Sequence, residues 1–479
     1  MASYPRRAAL MHEATRGTME GVKPPGHVLS AVTVVAVVTL TACSSSPSAP
    51  ANAPSASTRP TPTPTAASFT LATAALTVPA AFASGAFAEP REVQIPAGWT
   101  MSVWASVDGA RLAAWAPDGS LLVSRPGAGE VVRLEPGATP AAVPTTTTLL
   151  AGLEQPHGLA FAGDTLYVAQ SSEVDSYAYA GGVVSGKKVV AGGLPDAKSP
   201  ELRGAYAHAL KSVAVGNDGA VYYSIGSTGN TSAEDRDASP ERATVYRVPP
   251  GGGTPEVYAR GVRNGTGLAV APDGAVWTAV NNRDNIAYPW DQPYGDADGS
   301  SYGEVVQDYV DDHPAEELAR LTAGRDLGWP YCNPDPDVRQ GVSGTAYDYS
   351  RPPFVRDAQT NADGSKLDCD TLAPIEQTFG AHSAPLGLSF ADVPGLGAGA
   401  LVGVHGSWNR QPPRPPEVSF FASDGAGGLG GQQTLVTGFQ GDDGSRWGRP
   451  VAAVLGPDGA VYVTDDKAGA VYRLTRAGT

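Results

Sequence analysis

The sequence predicts an all-β fold, a six-bladed β-propeller of four-stranded antiparallel blades with an insertion on one face. The composition is rich in turn formers, with 58 Gly and 42 Pro in 479 residues, and this disfavours helices. One strand–turn–strand module recurs six times along the chain. Most copies lie roughly 45–65 residues apart, which is the spacing of four-stranded propeller blades.

The first 43 residues are predicted to be a lipoprotein-type signal peptide. Lys23 is followed by an apolar run, Val28–Leu40, which is too short to span a bilayer comfortably and is typical of an export signal. The segment Leu40-Thr41-Ala42-Cys43 resembles a bacterial lipoprotein cleavage site. We therefore predict that Cys43 is lipidated and tethers an exported protein to the outer side of the cell membrane. A plain signal peptide with an unmodified Cys43, and hence a secreted protein, is the alternative.

A spacer and one folded domain follow the signal peptide. Residues 44–68 are almost entirely Ser, Pro, Ala and Thr, which cannot bury a core, so a disordered linker is predicted. Residues 69–479 are predicted to form the propeller domain. The formal net charge of −15 repels phosphate backbones, so no nucleic-acid partner is expected.

Each copy of the module consists of a short apolar strand, a tight turn and an alternating strand, the pattern of a β-hairpin. Five copies are clear: Ala113–Val123, Gly158–Val168, Ser212–Tyr223, Gly267–Trp277 and Ala452–Val463. A sixth, weaker copy combines Gly387–Phe390 with Ala400–Val404. Six blades close into a ring without exposed sheet edges. A tandem of Gly-rich β-sandwiches is the alternative, and the recurring Asp-Gly turn disfavours it.

Apolar segments between the copies predict the outer strands of the blades. These segments are Val131–Leu134, Val245–Val248, Val257–Ala259 and Val471–Leu474. The gap between the fourth and fifth copies is much longer than the others, so residues 281–379 are predicted to be the insertion. This segment holds an acidic tract, Asp291–Asp312, together with Cys332 and Cys369. In an exported protein these two cysteines favour a disulfide over two free thiols.

Residues just ahead of the first strand of each blade face one mouth of the central channel. Counting back nine or ten residues from each turn aspartate, and to the start of the weak sixth copy, brings equivalent positions together. The residues at or next to these positions are Gln155, His157, His208, Arg263, Asn264, His382, Ser383 and Arg449. Few carboxylates join them, Asp108 and Glu154 being the candidates. Such a set suits an anionic, carbonyl-rich ligand, and a His can act as a base near neutral pH.

The same segments resemble the soluble PQQ-dependent aldose sugar dehydrogenases, the glucose/sorbosone dehydrogenase group. The resemblance runs from about Val93 to Leu474 and rests on seven motifs that are specific together and weak singly. The motifs are AHALKSVAVGNDGAVYYSIGSTGN (207–230), GVRNGTGLAVAPDGAVW (261–277), NNRDN (281–285), AEELARLTAGRDLGWPYC (315–332), AHSAPLGLSF (381–390), VHGSWNR (404–410) and GRPVAAVLGPDGAVYVTDD (448–466). The resemblance implies a six-bladed propeller that carries PQQ, a tricarboxylated quinone, and Ca²⁺ on one face.

Carried over residue by residue, the resemblance also implies roles at the mouth. His208 stands at the position of the general base that takes the proton from the sugar C1 hydroxyl, with Arg263 beside the reacting quinone carbonyl. The implied cofactor-binding residues are Arg263, Asn264, His405, Arg410, Arg446 and Arg449. The implied calcium residues are Asn282 and Arg283, through their backbone carbonyls, joined by Asp284. The residues expected on the substrate side are Gln155, His157 and His382.

The sequence therefore predicts a quinoprotein enzyme that oxidises an aldose, or a sorbosone-type aldehyde, to the lactone or acid. Hydride would pass to PQQ, and an external electron acceptor would then reoxidise the cofactor. The chain departs from the family at Leu210–Lys211 and at Ala319, where the family has Asn. Two alternatives stay open: a calcium-dependent lactonase on the same fold, and a non-catalytic, lipid-anchored binding propeller.

Overall fold

The computed structural model describes residues 69–202 and 204–477. The predicted signal peptide, Cys43 and the predicted linker 44–68 lie outside the described residues. Within the described ranges, no helix has both the length and the apolar character needed to cross a membrane.

The chain contains 29 strands and very little helix in its described part. It begins with β1 (Leu71–Ala75), β2 (Glu92–Pro96) and β3 (Trp99–Ser106). Blade 1 contains β4 (Ala113–Trp115), β5 (Leu121–Arg125), β6 (Glu130–Glu135) and β7 (Thr145–Leu150). Blade 2 contains β8 (Leu159–Ala162), β9 (Thr165–Ala169), β10 (Val174–Ala180) and β11 (Val183–Ala191). Blade 3 contains β12 (Val213–Val215), β13 (Val221–Ile225), β14 (Thr244–Val248) and β15 (Glu256–Arg260).

The second half of the chain continues the pattern around a helical turn. Blade 4 begins with β16 (Gly267–Val270) and β17 (Val276–Ala279), which are followed by helix α1 (Gln307–Val310) and β18 (Glu316–Leu321). Short strands β19 (Arg325–Asp326), β20 (Cys332–Pro334), β21 (Phe354–Arg356) and β22 (Gln377–Phe379) come next. Blade 5 contains β23 (Pro385–Val393), β24 (Gly397–Val404), β25 (Glu417–Ala422) and β26 (Gln433–Val436). The last strands are β27 (Pro450–Leu455), β28 (Val461–Asp465) and β29 (Ala470–Arg476). Within residues 69–202 and 204–477, six short 3-10 turns cover Ala80–Phe82, Gly85–Phe87, Pro126–Ala128, Pro200–Leu202, Ala233–Asp237 and Cys369–Thr371.

These sheets confirm the predicted six-bladed propeller. The first strands of successive blades, β4, β8, β12, β16, β23 and β27, contact one another in that order, and β27 also contacts β4. The ring is therefore closed. The N-terminal strand β3 pairs with β29, with Met101 opposite Leu474, and becomes the outer strand of blade 6. A strand from ahead of blade 1 and the last strand, β29, are thus paired in one sheet, and each of the six blades has at least four strands.

The Asp-Gly turn that defines the repeat has the same hydrogen bond in four blades. The turn aspartate accepts from the backbone N–H two residues later, at 3.0 Å for Asp118, Asp218 and Asp273 and 3.3 Å for Asp458. The glycine between them has a φ of +76° to +86°, a region where other residues are strained. The chemistry of the turn therefore fixes the register of each inner hairpin.

The core consists of the apolar faces that adjacent blades press together. Between blades 6 and 1, the Tyr462 ring packs edge-on against Trp104 and Trp115, with ring centroids 4.8 and 4.9 Å apart. Between blades 4 and 5, Phe379 packs against Phe421 at 5.1 Å. Because this burial fixes each blade against its neighbours, the loops at the channel mouth are built on a rigid base.

The segment 281–379 is only partly an insertion, which corrects the predicted boundaries. Strands β18 and β22 complete blade 4, pairing through Val276–Leu321 and Glu316–Phe379, and β19 adds a short parallel edge to β15 of blade 3. The outer strands of blade 4 are not joined by an Asp-Gly turn, so the repeated motif does not predict them. The excursions proper are the loop between β17 and β18 and the segment between β19 and β22.

The Cys332–Cys369 disulfide closes the second excursion across 37 residues. A cross-link of this span lowers the entropy of the unfolded chain, so we expect the double variant Cys332→Ser/Cys369→Ser to lose about 2–4 kcal/mol of unfolding free energy. Denaturant unfolding of oxidised wild type and variant measures the difference. Dithiothreitol should destabilise the wild type and leave the variant unchanged. Coincident unfolding curves would contradict the prediction.

Candidate functional site

Side chains from all six blades meet at the mouth of the channel. They precede the first strands of the blades, and most of them bond to residues that follow the second strand of the same or the preceding blade. The residues ahead of the first strands are Arg111, His157, His208, Lys211, Arg263, His382 and Arg449. They fall into two connected halves, one centred on Arg263 and the other on Asp466.

His208 is held as a neutral imidazole in one tautomer. Its Nδ1 lies 3.0 Å from the carbonyl oxygen and 2.8 Å from the Oγ of Ser227. A carbonyl oxygen only accepts, so Nδ1 carries the proton and Nε2 keeps its lone pair. Burial, and then the positive charge of Arg263, lower the pKa of His208 to about 3. At neutral pH the ring is therefore uncharged, and its Nε2 lone pair is available to a ligand.

Arg263 lies next to His208 and is fully bound by backbone and amide oxygens. The Ser227 N–H donates to the Arg263 carbonyl at 2.8 Å, so one residue holds both the imidazole and the arginine. The guanidinium donates to the Asn230 carbonyl (3.1 Å) and Oδ1 (3.0 Å), and to the carbonyls of Asn281 (3.0 Å) and Asn282 (2.7 Å). Burial lowers its pKa to about 10, and it stays charged at neutral pH.

Asn264 also faces His208, across Gly226. A Cβ on Gly226 would lie 2.7 Å from the His208 Cβ and 3.4 Å from the Asn264 Oδ1. Glycine is needed here because the two side chains close over its Cα. The structure thus brings His208, Arg263 and Asn264 together as the sequence predicted.

The predicted calcium residues have three different environments. Asn282 is buried and donates through Nδ2 to Glu317 Oε1 at 2.9 Å. The Arg283 side chain turns into the insertion, where it forms an ion pair with Asp357 and bonds Gln359. Asp284 faces the mouth and lies 3.2 Å from His382 Nδ1. Arg283 could therefore contribute only its backbone carbonyl to an ion, whereas Asp284 offers a carboxylate.

Buried carboxyl groups stand behind Asp284. Glu316 accepts from the Ala384 N–H at 2.6 Å, and Glu317 Oε2 is buried without a hydrogen-bond partner in the described part of the chain. Burial raises the pKa of each to about 8. The negative charges of Asp284, Glu316 and Glu317 all favour the charged form of Arg263. Carboxylate and carbonyl oxygens are the ligands that Ca²⁺ prefers, and an excess of buried negative charge favours a cation.

These raised pKa values predict a pH-dependent stability. A carboxyl group with a folded pKa of about 8 and an unfolded pKa near 4.5 binds its proton more tightly when folded, so the protein loses stability as pH rises between these values. We expect Glu317→Gln to remove one such cost. In EDTA, the free energy of unfolding of the variant should rise relative to that of the wild type by about 2–4 kcal/mol between pH 5 and pH 8. Urea unfolding at both pH values measures this, with the exposed Glu135→Gln as control. Parallel pH curves would contradict it.

His382 is already bound at both ring nitrogens. Its Nε2 donates to the Val310 carbonyl at 2.7 Å, at the end of α1, and its Nδ1 faces Asp284. Burial opposes the charged ring, but Asp284 and Glu316 outweigh it and raise the His382 pKa. His382 thus ties α1 to the acidic group, and neither nitrogen is free for a substrate.

A second network links blades 5, 6, 1, 2 and 3. His405 Nε2 donates to Asp466 Oδ1 at 3.0 Å, and Arg111 binds Asp466 Oδ2 at 2.8 Å. Arg111 also approaches His157 Nε2 at 3.5 Å, and His157 Nδ1 lies 3.2 Å from the Lys211 carbonyl. Burial, followed by Arg111, lowers the pKa of His157 to about 3. This network is an internal brace around the mouth, and His157 is buried within it.

The predicted basic residues Arg410, Arg446 and Arg449 line one cavity of about 420 Å³, a volume suited to a small ligand. Lys467 and Trp408 also line it, and Trp408 is 71% exposed. The loop that forms the wall reaches the calcium side, because Asn409 donates to Asn285 Oδ1 at 3.0 Å. A cationic cavity with an exposed indole fits a planar polycarboxylate. A larger cavity of about 900 Å³ lies in the insertion and contains none of these residues.

Sequence reasoning missed Arg111, Lys211 and Asp466. Counting seven residues back from Asp118, Asp164 and Asp218, rather than nine or ten, gives Arg111, His157 and Lys211. The structure confirms that these three are equivalent, since each precedes a residue whose carbonyl accepts from the second strand. Asp466 directly follows β28, the second strand of blade 6, whereas residues counted back from a turn aspartate all lie ahead of a first strand.

Several other predicted residues lie away from this centre. Gln155 is exposed and has a φ of +46°. Glu154 pairs with the exposed Lys198 at 2.5 Å. Asp108 is bonded through its carbonyl to Arg125. The structure therefore does not bring Glu154 or Asp108 into the mouth as carboxylates, and the substrate role of Gln155 stays a prediction.

Comparison with known proteins places the chain in a family. The TrAA12-like family model matches residues 93–477. Among solved structures, the holo pyranose dehydrogenase PQQ domain from Coprinopsis cinerea has a TM-score of 0.65 at 18% identity, covering 81% of this chain and 97% of that one. The calcium structure of the Trichoderma reesei family AA12 enzyme has a TM-score of 0.61 at 20% identity, covering 80% and 96%. The apo soluble aldose sugar dehydrogenase from Escherichia coli has a TM-score of 0.52 at 14% identity, covering 79% and 99%.

One curated sequence also matches. It is an uncharacterized protein from Borreliella burgdorferi, 33% identical over 99 residues. The match spans 20% of this chain and about a quarter (26%) of that relative. At these identities the solved structures establish the shared propeller fold, whereas the family model covers nearly the whole described domain. The chain therefore belongs to the TrAA12-like family.

Proposed function

We propose that the protein is a PQQ- and calcium-dependent sugar dehydrogenase that oxidises an aldose, or a sorbosone-type aldehyde, to the lactone or acid. The observation that carries the proposal is the pairing of His208 with Arg263 at the channel mouth, through Ser227. Relatives named as a pyranose dehydrogenase PQQ domain and an aldose sugar dehydrogenase support sugar oxidation.

The residues present fit PQQ. Three arginines and Lys467 line the cavity described above, where three carboxylates would find charge-assisted partners. Arg446 and Arg449 are each held in place, by Gln440 Oε1 at 2.7 Å and by the His405 carbonyl at 3.0 Å. When bound, PQQ supplies the two-electron acceptor of the reaction. Trp408 is the exposed aromatic surface beside it.

The residues present also fit a Ca²⁺ ion. The unpartnered Oε2 of Glu317 and the carboxylate of Asp284 are hard oxygen donors. The backbone carbonyl of Arg283 lies in the same loop, whereas the carbonyls of Asn281 and Asn282 already accept from Arg263. A divalent cation here would offset the burial that raises the pKa of Glu316 and Glu317. The ion would supply positive charge near the place where negative charge develops.

The chain's own residues then perform the acid–base part of the oxidation. His208 Nε2 takes the proton from the C1 hydroxyl as two electrons leave C1 with its hydrogen. The Ser227 carbonyl and Oγ keep the imidazole in the required tautomer. Arg263, fixed by four hydrogen bonds, supplies a preorganised positive charge beside the reacting groups. The imidazolium that forms is disfavoured by burial and by Arg263, so it releases its proton readily to solvent.

Reconstitution tests the proposal. Purified apo-protein is mixed with PQQ, CaCl₂ and an artificial electron acceptor, and dye reduction is followed with a panel of aldoses and sorbosone. We expect turnover that requires both PQQ and Ca²⁺. Hydrolysis of lactones without quinone would instead establish the lactonase. PQQ binding without turnover, or no binding at all, would favour the binding propeller.

We also propose that the protein works at the outer surface of the cell membrane, attached through a lipid on Cys43. The signal-like segment Val28–Leu40 and the motif that ends at Cys43 support this location. Incorporation of labelled fatty acid into the wild type, and its loss in Cys43→Ala, is the test. Equal labelling of the two chains would exclude Cys43 as the anchor.

A further inference from the structure

The insertion contains a buried triad that the proposed reaction does not use. His313 Nε2 lies 3.0 Å from Asp337 Oδ1 and 3.6 Å from Asp335 Oδ1. The ligand atoms of the three residues lie within 4.8 Å of one another. All three side chains are at most 2% exposed. The triad joins the end of helix α1 to the chain just after β20.

Several oxygens at and beside this triad lack the hydrogen bonds that buried groups normally make. In the described ranges, Asp335 Oδ2 is buried without a partner, and so are Asn333 Oδ1 and the hydroxyl of Tyr309. The Tyr309 ring stacks on His313 with centroids 3.9 Å apart. Asn333 and Asp335 are two residues apart at the end of β20. Leaving such groups unpaired costs about 1–3 kcal/mol each, so their arrangement points to a missing partner.

The geometry of the triad suits a metal ion. His313 Nδ1 lies 2.8 Å from the Tyr309 carbonyl and therefore donates its proton there, which leaves Nε2 to face the carboxylates. This is how proteins orient an imidazole ligand. With bonds of about 2.1 Å, ligand atoms around one zinc-like ion are separated by about 3.0–3.4 Å, close to the 3.0 and 3.6 Å observed.

We propose that His313, Asp335 and Asp337 bind one divalent cation of the zinc or manganese class. An imidazole with two carboxylates favours such an ion over Ca²⁺, which takes oxygen ligands. The unpaired Asp335 Oδ2 can serve as a further donor to the ion. Because the triad lies in the insertion, this proposal does not depend on the proposed dehydrogenase activity.

A cavity that opens to solvent borders the triad. Asp335 and Asp337 line the cavity of about 900 Å³ in the insertion, together with Tyr302 and Val338. Tyr302 is 40% and Val338 61% exposed, so the cavity opens to solvent. Because the three side chains are themselves at most 2% exposed, an ion reaches them when the wall of this cavity opens locally.

The ion would brace the channel mouth from behind. The triad lies at the end of α1, three residues from Val310, whose carbonyl accepts from His382. His382 in turn holds Asp284 at 3.2 Å. A cation fixing His313 to the segment after β20 would therefore fix the backbone that positions His382. We assign the ion a positioning role, with no contact to the reacting groups.

The alternative is a salt-bridged triad without metal. Burial lowers the pKa of His313, but the hydrogen bonds to Asp335 and Asp337 outweigh it and raise the pKa to about 9. A protonated imidazole would then neutralise part of the carboxylate charge. A metal ion must displace that proton, so metal binding should strengthen with pH.

Metal analysis of the full chain separates these two cases. The PQQ-free protein is stripped with a chelator and dialysed against ZnCl₂ or MnCl₂ in excess CaCl₂, and its metal content is measured by elemental mass spectrometry. We expect about one zinc or manganese per chain. Asp337→Asn should lose it, whereas Asp348→Asn, in the same cavity but outside the triad, should keep it. Equal metal content in wild type and Asp337→Asn would overturn the proposal, as would none in wild type.

A second measurement keeps the test decisive if Asp337→Asn does not fold. X-ray absorption at the zinc edge of loaded wild type should show one imidazole and oxygen neighbours. A shell with no imidazole would overturn the assignment. Because no PQQ is present, failure here is distinct from failure of the dehydrogenase assay.

Discussion

Replacing His208 by Gln is expected to lower the kcat of the PQQ-loaded enzyme by about a hundredfold or more. The His208 Nε2 lone pair is the proton acceptor, and an amide cannot replace it. Because Nδ1 already donates to Ser227, Gln can keep that bond and preserve the loop. PQQ affinity should therefore change little. Stopped-flow reduction of the cofactor by sugar, together with fluorescence titration of PQQ, separates the two effects.

Ser227→Ala provides a graded control for His208. It removes the 2.8 Å bond to Oγ and leaves the 3.0 Å bond to the carbonyl, so the tautomer should survive. We expect a loss of about tenfold or less, corresponding to one neutral hydrogen bond. Unchanged turnover in His208→Gln would remove His208 from the mechanism, and lost PQQ binding would make it a structural residue.

The pH profile gives an independent check on His208. Its pKa is lowered to about 3, so the neutral base is present above that value and is lost only below it. The acid side of the kcat/KM profile should therefore show no step near 6.5 from this residue. A step near 6.5 that disappears in His208→Gln would show that the loaded enzyme exposes the ring to water.

The inner hairpins could be predicted because local chemistry decides them. The aspartate of each turn bonds two residues on, and the following glycine takes a positive φ. The Asp side chain and the Gly that these two features require are adjacent in the sequence. The outer strands of blade 4 and the strand β3 that completes blade 6 pair with partners far away in the chain. Long-range pairing leaves no comparable local signal, so the boundaries of 281–379 were wrong.

The site could be predicted where one position repeats around the ring. His208 and Arg263 stand at strand entries and meet through Ser227. The position seven residues before the turn aspartate, which holds Arg111 and Lys211, was not among the predicted site positions. Lys211 is fully buried and donates to the carbonyls of Pro195 and Ala209. Such hydrogen bonds from a buried side chain depend on which loop packs against it. A single sequence does not give that information.

Replacing Arg263 by Lys should cost both stability and catalysis. The guanidinium makes four hydrogen bonds in three directions, to Asn230, Asn281 and Asn282. A compact ammonium cannot span them, so buried carbonyls lose partners. We expect a loss of about 2–4 kcal/mol of unfolding free energy, measured by urea unfolding of the apo-protein. Turnover of the loaded variant should fall by at least about tenfold, because the charge beside His208 is no longer fixed.

Arg236→Lys is the matched control that separates a purely structural arginine from one that takes part in the reaction. Arg236 is also a largely buried arginine, which binds Asp326 through two nitrogens at 2.8 Å and the Trp329 carbonyl at 2.8 Å. Its replacement should cost similar stability and leave the kcat of the folded, loaded enzyme unchanged. Arg263→Lys should differ by slowing the hydride step, seen as a larger isotope effect with sugar deuterated at C1. If both variants lose stability alone, Arg263 is purely structural, and the charge that the reaction needs must come from the cation side of the mouth.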